Sequence, residues 1–142
     1  MNIAIVVSKF NETITTRLLN GAKKTLMKNE VPKNNIRVVY VPGAFEIPYM
    51  CQKIAENKKI DGIIALGVVI KGETDHYKAV CDGVTFGIQK ISLENRLPIM
   101  LGVLMCKTQE QAIQRSKDAE KYNKGSEAAE GLLELLRMKE DL

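Results

Sequence analysis

The sequence predicts an α/β fold: a three-layer sandwich in which a four-stranded parallel sheet lies between helices on both faces. Two observations carry this expectation. Four short runs, Ile3–Val7, Arg37–Val41, Ile63–Ile70 and Ile99–Met105, are β-branched or aliphatic and continuous rather than alternating, as strands covered on both sides require. The segments between them repeat their apolar residues at helical spacing. Strand–helix alternation of this kind gives a doubly wound sheet, which binds its ligands outside the carboxyl ends of the strands.

Each element has its own warrant. After the first run, Ile14, Leu18, Ala22 and Leu26 recur every four residues and form the apolar stripe of a helix. Tyr77, Val80, Val84, Ile88 and Ile91 form a second stripe after the third run, with Thr74 as the expected cap of that helix. Thr108-Gln109-Glu110-Gln111 matches a capping box and opens a helix after the fourth run. Asn123-Lys124-Gly125 interrupts the helical pattern. A last helix runs from about Ser126 through Leu132, Leu133 and Leu136.

Composition narrows the function classes. A chain of 142 residues suits a single domain spanning 1–142, and 45% hydrophobic with 27% charged residues is an ordinary globular balance. The net charge is +4, but the basic residues are scattered in pairs such as Lys23-Lys24 and Lys58-Lys59. With three phenylalanines, four tyrosines and no tryptophan, there is no basic, aromatic-lined face for nucleic acid. Cys51, Cys81 and Cys106 lie far apart without metal-ligand spacing, which points to reduced thiols and to no metal site. The longest apolar stretch, Gly62 to Ile70, is about half of the roughly 20 residues needed to span a membrane. With no secretory leader ahead of Ile3, the expectation is a cytoplasmic protein with no membrane partner.

The strand ends hold the chemistry. Lys71-Gly72-Glu73-Thr74 follows a buried strand and precedes a helix, so free N–H groups and the helix dipole make an anion site. Gly67 and Gly72 have the glycine spacing of a nucleotide P-loop, but Glu73 stands where that loop needs a lysine, which excludes a triphosphate. A small phosphate held by backbone groups remains. His76, the only histidine, falls in the next helical turn, at a strand end where an imidazole can move protons; a structural or merely exposed histidine is the competing reading. Cys81, five residues on, faces away from it, so no cysteine–histidine pair is expected. Phe10, after the first run, either stacks on a flat heterocycle or caps the core. Glu46, after Gly43-Ala44-Phe45, either complements a helix dipole or accepts hydrogen bonds from a polyol. Arg115, in the helical stretch after the capping box, is by default a solvated surface residue.

Five segments taken together resemble one family. Lys9-Phe10-Asn11, Val41-Pro42-Gly43-Ala44-Phe45-Glu46-Ile47-Pro48, Leu66-Gly67-Val68-Val69-Ile70-Lys71-Gly72-Glu73-Thr74-Asp75-His76, Glu110-Gln111-Ala112-Ile113-Gln114-Arg115 and Asn123-Lys124-Gly125 are similar to the successive signatures of the 6,7-dimethyl-8-ribityllumazine synthases. They occur in the family's order and at nearly its spacing. The resemblance implies a flavodoxin-like fold and a transferase of riboflavin biosynthesis. That enzyme joins 5-amino-6-(D-ribitylamino)uracil to 3,4-dihydroxy-2-butanone 4-phosphate and releases phosphate and water.

The resemblance also implies roles. Phe10 stacks on the pyrimidine; Ala44, Phe45 and Glu46 line the ribityl chain; backbone groups of Val68, Val69 and Ile70 read the pyrimidine edges. Gly72, Glu73 and Thr74 hold the phosphate, with Arg115 reaching in from a neighbouring subunit. His76 shuttles protons, and Lys124 lies near the pyrimidine end. Leu101 stands where the family commonly has a phenylalanine covering the neighbour's site. No cofactor and no metal are implied. The implied partners are the small-molecule substrates, further copies of the chain with sites at subunit interfaces, and, as a candidate, riboflavin synthase. The assembly is a homopentamer or a sixty-subunit shell. The chain enters its first strand at Ile3 without the N-terminal extension of many members, and this leans towards the pentamer. The stretch from Ser116 to Tyr122 is slightly longer than in the commonest members. Two rivals stay open on the sequence: a riboflavin synthase of similar fold that dismutates two lumazines, and an inactive shell-forming or flavin-binding protein. A receiver-type signalling module is excluded because it needs clustered aspartates where this chain has Ser8-Lys9 and Lys71-Gly72.

Overall fold

Continuous branched aliphatic runs set the centre of the molecule. In the computed structural model, which describes residues 1–118 and 120–142, four parallel strands lie in the order β2-β1-β3-β4. They are β1 (Ile3–Ser8), β2 (Ile36–Val41), β3 (Gly62–Ile70) and β4 (Ile99–Cys106), each one residue longer than the sequence run that predicts it. The central strands divide their side chains between two cores: Ile3, Ile5 and Val7 of β1 with Ile64, Leu66 and Val68 of β3 face one side. Ala4, Val6, Ile63, Ala65 and Val69 face the other. Burial on both faces, expected for all four strands, holds for β1 and β3 alone. β2 and β4 are partly exposed because they form the sheet's two edges.

Helices fill the outer layers. The first core is closed by α1 (Glu12–Lys28), the short α4 (Gln109–Gln114) and α5 (Lys124–Glu140), and the second by α2 (Ile47–Ala55) and α3 (His76–Asn95). The stripe Ile14, Leu18, Ala22, Leu26 is buried against β1 and β3; full burial of each large member is worth about 1.5–3 kcal/mol. α2 has Pro48 in its first turn, where a missing N–H costs nothing, and buries Ile47, Cys51, Ile54 and Ala55 on one side.

The helix starts refine the sequence reading. Thr108 caps α4 as expected, its Oγ1 accepting the Gln111 N–H at 3.2 Å. The Gln111 side chain reaches one residue further back than a regular box, to the Lys107 N–H at 2.8 Å. α4 stops at Gln114 with Arg115 as its C-cap, so Arg115 ends a helix rather than sitting within a long one. Asn123 caps α5, which places Lys124 and Gly125 in its first turn, ahead of the expected start near Ser126. Thr74 does not cap α3: Asp75 takes that position, and the Thr74 hydroxyl accepts the His76 N–H at 3.3 Å. Ala119, within the stretch Ser116–Tyr122, lies outside the described residues. No described helix is long and apolar enough to cross a membrane.

Register shapes the carboxyl edge of the sheet. Pairing of β1 with β3 ends at Val7 opposite Leu66, whereas pairing of β3 with β4 continues to Ile70 opposite Cys106. Residues Val68–Ile70 therefore run past the end of β1. On that side their backbone groups have no strand to pair with.

Candidate active site

The overhang of β3 is the floor of the main cleft, and each wall has a local cause. Beyond Ser8 the chain turns sharply at Asn11, whose left-handed backbone (φ 58°, ψ 55°) is one that asparagine tolerates better than most residues. That turn starts α1 and leaves Phe10 standing out at 65% exposure. An aromatic ring in that position is a ready stacking surface at the open edge of the sheet.

After β2, the chain makes a short 3-10 turn, Ala44–Glu46, before α2 begins. Gly43 supplies a close approach: the Glu46 Oε1 lies 3.3 Å from where a Cβ at Gly43 would be. One carboxylate oxygen thus lies over the glycine while the residue as a whole stays exposed. Phe45, 60% exposed, lines the same wall.

The loop from β3 to α3 forms the third side. Lys71 donates its N–H to the Cys106 carbonyl at 2.9 Å, which fastens the loop to the end of β4. Among the described residues, none accepts a hydrogen bond from the N–H groups of Gly72, Glu73 or Thr74. Nothing lies within 4 Å of a Cβ placed at Gly72, so the backbone there is open to a bulky group. Because the Thr74 oxygen accepts from His76, its own hydrogen stays available for donation. A cluster of free donors at a helix N-terminus suits a phosphoryl group.

These walls enclose a cleft of about 700 Å³, lined by Phe10, Ala44, Phe45, Glu46, Val68, Val69, Ile70, Gly72, Thr74 and His76. Its size is that of a small-molecule site. Glu73 is exposed and is not part of the lining. The stripe that predicts α3 assigns Tyr77 and Val80 to the core, yet both also line this cleft, with Pro42 and Gly43. Their place in the first turns of α3, beside His76, is the sequence signal for that double role. Burial first, then the neighbouring Cys81, holds the Tyr77 phenol above its ordinary range. It therefore stays protonated near neutrality. Cys81 is absent from the lining, in keeping with its expected orientation away from His76.

Three expected site residues lie elsewhere on the chain. Arg115 and Lys124 line a second concavity of about 360 Å³, together with Cys106, Lys121, Tyr122 and Asn123. Burial pushes the Cys106 thiol up, with Arg115 pulling weakly the other way, so the sulfur is neutral at physiological pH. Leu101 is on the edge strand β4, 38% exposed and in neither concavity. Within one chain, the cations and the cleft they are expected to serve do not share a surface depression.

Comparison with known proteins adds an independent line. Residues 1–140 match the family of 6,7-dimethyl-8-ribityllumazine synthases. The chain is 50% identical over 142 residues to the 6,7-dimethyl-8-ribityllumazine synthase of Pediococcus pentosaceus, covering 100% of this chain and 90% of that protein. It is 49% identical over 140 residues to the enzyme of that name from Leuconostoc mesenteroides, covering 99% and 89% of the two chains. With a matching fold and a single cleft gathering most of the expected residues, this chain belongs to the 6,7-dimethyl-8-ribityllumazine synthase family.

Proposed function

We infer that the chain is an enzyme that condenses 5-amino-6-(D-ribitylamino)uracil with 3,4-dihydroxy-2-butanone 4-phosphate to give 6,7-dimethyl-8-ribityllumazine, phosphate and water. The observation that carries the site assignment is the cleft itself. It sets an exposed aromatic, an unpaired strand edge, a carboxylate and a loop of free N–H donors around one volume. A flat heterocycle, its ribityl chain and a phosphate need those four things.

The roles follow from chemistry. The pyrimidine lies against Phe10, and the backbone of Val68, Val69 and Ile70 pairs with its polar edge. Ala44 and Phe45 pack along the ribityl chain, and Glu46 accepts bonds from its hydroxyls. Gly72, Glu73 and Thr74 hold the phosphate through their N–H groups and the Thr74 hydroxyl; Glu73, whose side chain faces solvent, contributes by its backbone. The 5-amino group attacks the ketone and water leaves, forming an imine. Loss of a proton from the adjacent hydroxyl-bearing carbon expels phosphate, and the resulting enol becomes a methyl ketone. The ribitylamino nitrogen adds to that carbonyl, and loss of a second water closes the ring. His76, at the mouth of the phosphate loop, takes up and returns the protons. The amine is already a nucleophile, so positioning dominates the catalysis.

Arg115 completes the site from a neighbouring subunit and Lys124 lies near the pyrimidine end, while Leu101, aliphatic where the family commonly has phenylalanine, offers the neighbour's pyrimidine no second stacking ring. The separation of the two concavities in one chain supports this reading. The working unit is then a homo-oligomer of single-domain chains, a pentamer in our reading, acting in the cytoplasm.

Formation of the lumazine chromophore from the two substrates, followed by absorbance, tests the activity; riboflavin formed from lumazine alone would mark a dismutase instead. Arg115→Ala is expected to raise the Michaelis constant for the sugar phosphate by about tenfold or more, since a charge-assisted phosphate contact is lost. The constant for the pyrimidine changes far less. Equal effects on both would contradict the phosphate role.

A further inference from the structure

Asn123 is almost wholly buried where α1, the turn before α5 and α5 itself meet. Its carboxamide is used at both ends. The Oδ1 accepts the Ser126 N–H at 3.1 Å and so caps α5. The Nδ2 donates to the Arg17 carbonyl in α1 at 3.0 Å and to the Lys117 carbonyl at 2.8 Å. Two glycines make room for the arrangement. A Cβ at Gly21 would collide with the Asn123 carboxamide, and one at Gly125 would collide with the Leu18 carbonyl of α1.

A helix cap needs only an oxygen, which serine, threonine or aspartate supplies equally well. The two donated bonds exceed that need and tie a particular loop. Its ends are joined by the Lys124 N–H to the Arg115 carbonyl at 2.9 Å, and Lys117 donates its N–H to the Tyr122 carbonyl at 3.0 Å. Ser116 pairs with Asn123 as an isolated antiparallel bridge. Arg115 and Lys124 stand at the two ends of this closed loop and line the same concavity.

We propose that Asn123 is a positioning residue: its Nδ2 tethers the loop between Arg115 and Lys124 to α1 and thereby fixes where both cations point. This rests on the phosphate role given to Arg115 above. Arg115 is braced from its own helix as well, its Nη1 donating to the Gln111 carbonyl at 2.9 Å. Without the tether the loop keeps its backbone closure but loses its fixed orientation on α1.

Asn123→Ser separates the two functions of the side chain, keeping a capping oxygen and deleting both donors. Gly21→Ala crowds the carboxamide from α1 and provides a second perturbation distant from both cations in sequence. Thermal unfolding, kcat and both Michaelis constants are measured for each variant, alone and combined with Arg115→Ala. Asn123→Ser is expected to raise the sugar-phosphate constant about fivefold with kcat within about twofold, because a small misplacement of a binding group is costly. Gly21→Ala shifts the same constant in the same direction. On the sugar-phosphate constant neither adds to the effect of Arg115→Ala, since both reach that constant through Arg115. Lowered melting temperatures with unchanged Michaelis constants would overturn the proposal and leave Asn123 a cap. So would effects that add to those of Arg115→Ala. If Arg115→Ala by itself leaves the sugar-phosphate constant unchanged, the phosphate role falls and the proposal with it, a result distinct from failure of the tether alone.

Discussion

His76 is the one imidazole available to the cleft, being the only histidine of the chain. His76→Ala is expected to lower kcat by about a hundredfold or less, the low end of the ~10²–10⁴ typical of acid–base catalysis, because the attacking amine needs little activation. An unchanged kcat would remove it from the mechanism. Cys51 is the opposite case, a titratable group with no chemical role. Buried in the α2 face of the sheet, its thiol is pushed from the ordinary 9.0 to about 12. Between those values the unfolded chain has lost a proton that the folded chain keeps, so stability falls as pH rises through that window. Cys51→Ala should flatten the decline, read as a shallower dependence of melting temperature on pH above 9; equal slopes would place the sulfur in contact with water. At this scale the sequence is most legible where a residue type is out of keeping with its position. Phe10 stands out as an aromatic where burial should end, and it is indeed exposed in the cleft. Tyr77 is hidden by the reverse logic, since its helical spacing accounts for it fully as a core residue. Thr74 and Asp75 are both good caps, and residue type alone does not choose between them.

Among the elements, α3 shapes the cleft as well as closing the sheet. A Cβ at Gly83 would lie 2.7 Å from the Phe45 ring, so this glycine sets how far Phe45 can withdraw from the cleft. Gly83→Ala should push the ring into the cleft and raise the Michaelis constant for the pyrimidine by about three- to tenfold. Fold stability should change little, as alanine's gain in helix propensity of about 1 kcal/mol offsets part of the crowding. In a Phe45→Ala background the same substitution should have no further effect on that constant, because the two residues act as a pair. Additive effects would show that Gly83 acts elsewhere. The strands were readable to within a residue at each end because continuous branched runs have few other uses in a chain of this size. The helices were less so. α2 is short, with its proline inside the first turn, and offers too few turns for periodicity to delimit. α4 ends after six residues, where the Ser116–Asn123 bridge draws the chain away from helical geometry; a capping box marks a start and carries no information about length.

At the scale of the whole molecule, Arg115 and Lys124 lie in a concavity apart from the main cleft of their own chain. In the sequence, the family resemblance alone links them to the cleft; neither spacing nor periodicity does so, because contacts between chains leave no period in one chain's sequence. If the site is shared, two impaired variants can repair one another. Subunits carrying His76→Ala mixed in equal amounts with subunits carrying Arg115→Ala, after dissociation and reassembly, should regain activity at about a quarter of the sites, those formed by one intact half from each partner. No recovery in verified mixed assemblies would place both residues in a site within one chain. The overhang of β3 has a different consequence. Recognition through main-chain groups survives nearly any exchange of the side chains that carry them, provided the strand persists. Val68, Val69 and Ile70 can thus drift as packing demands while the polar rim they present stays the same. An inhibitor anchored to that rim would leave the protein few single substitutions by which to escape it.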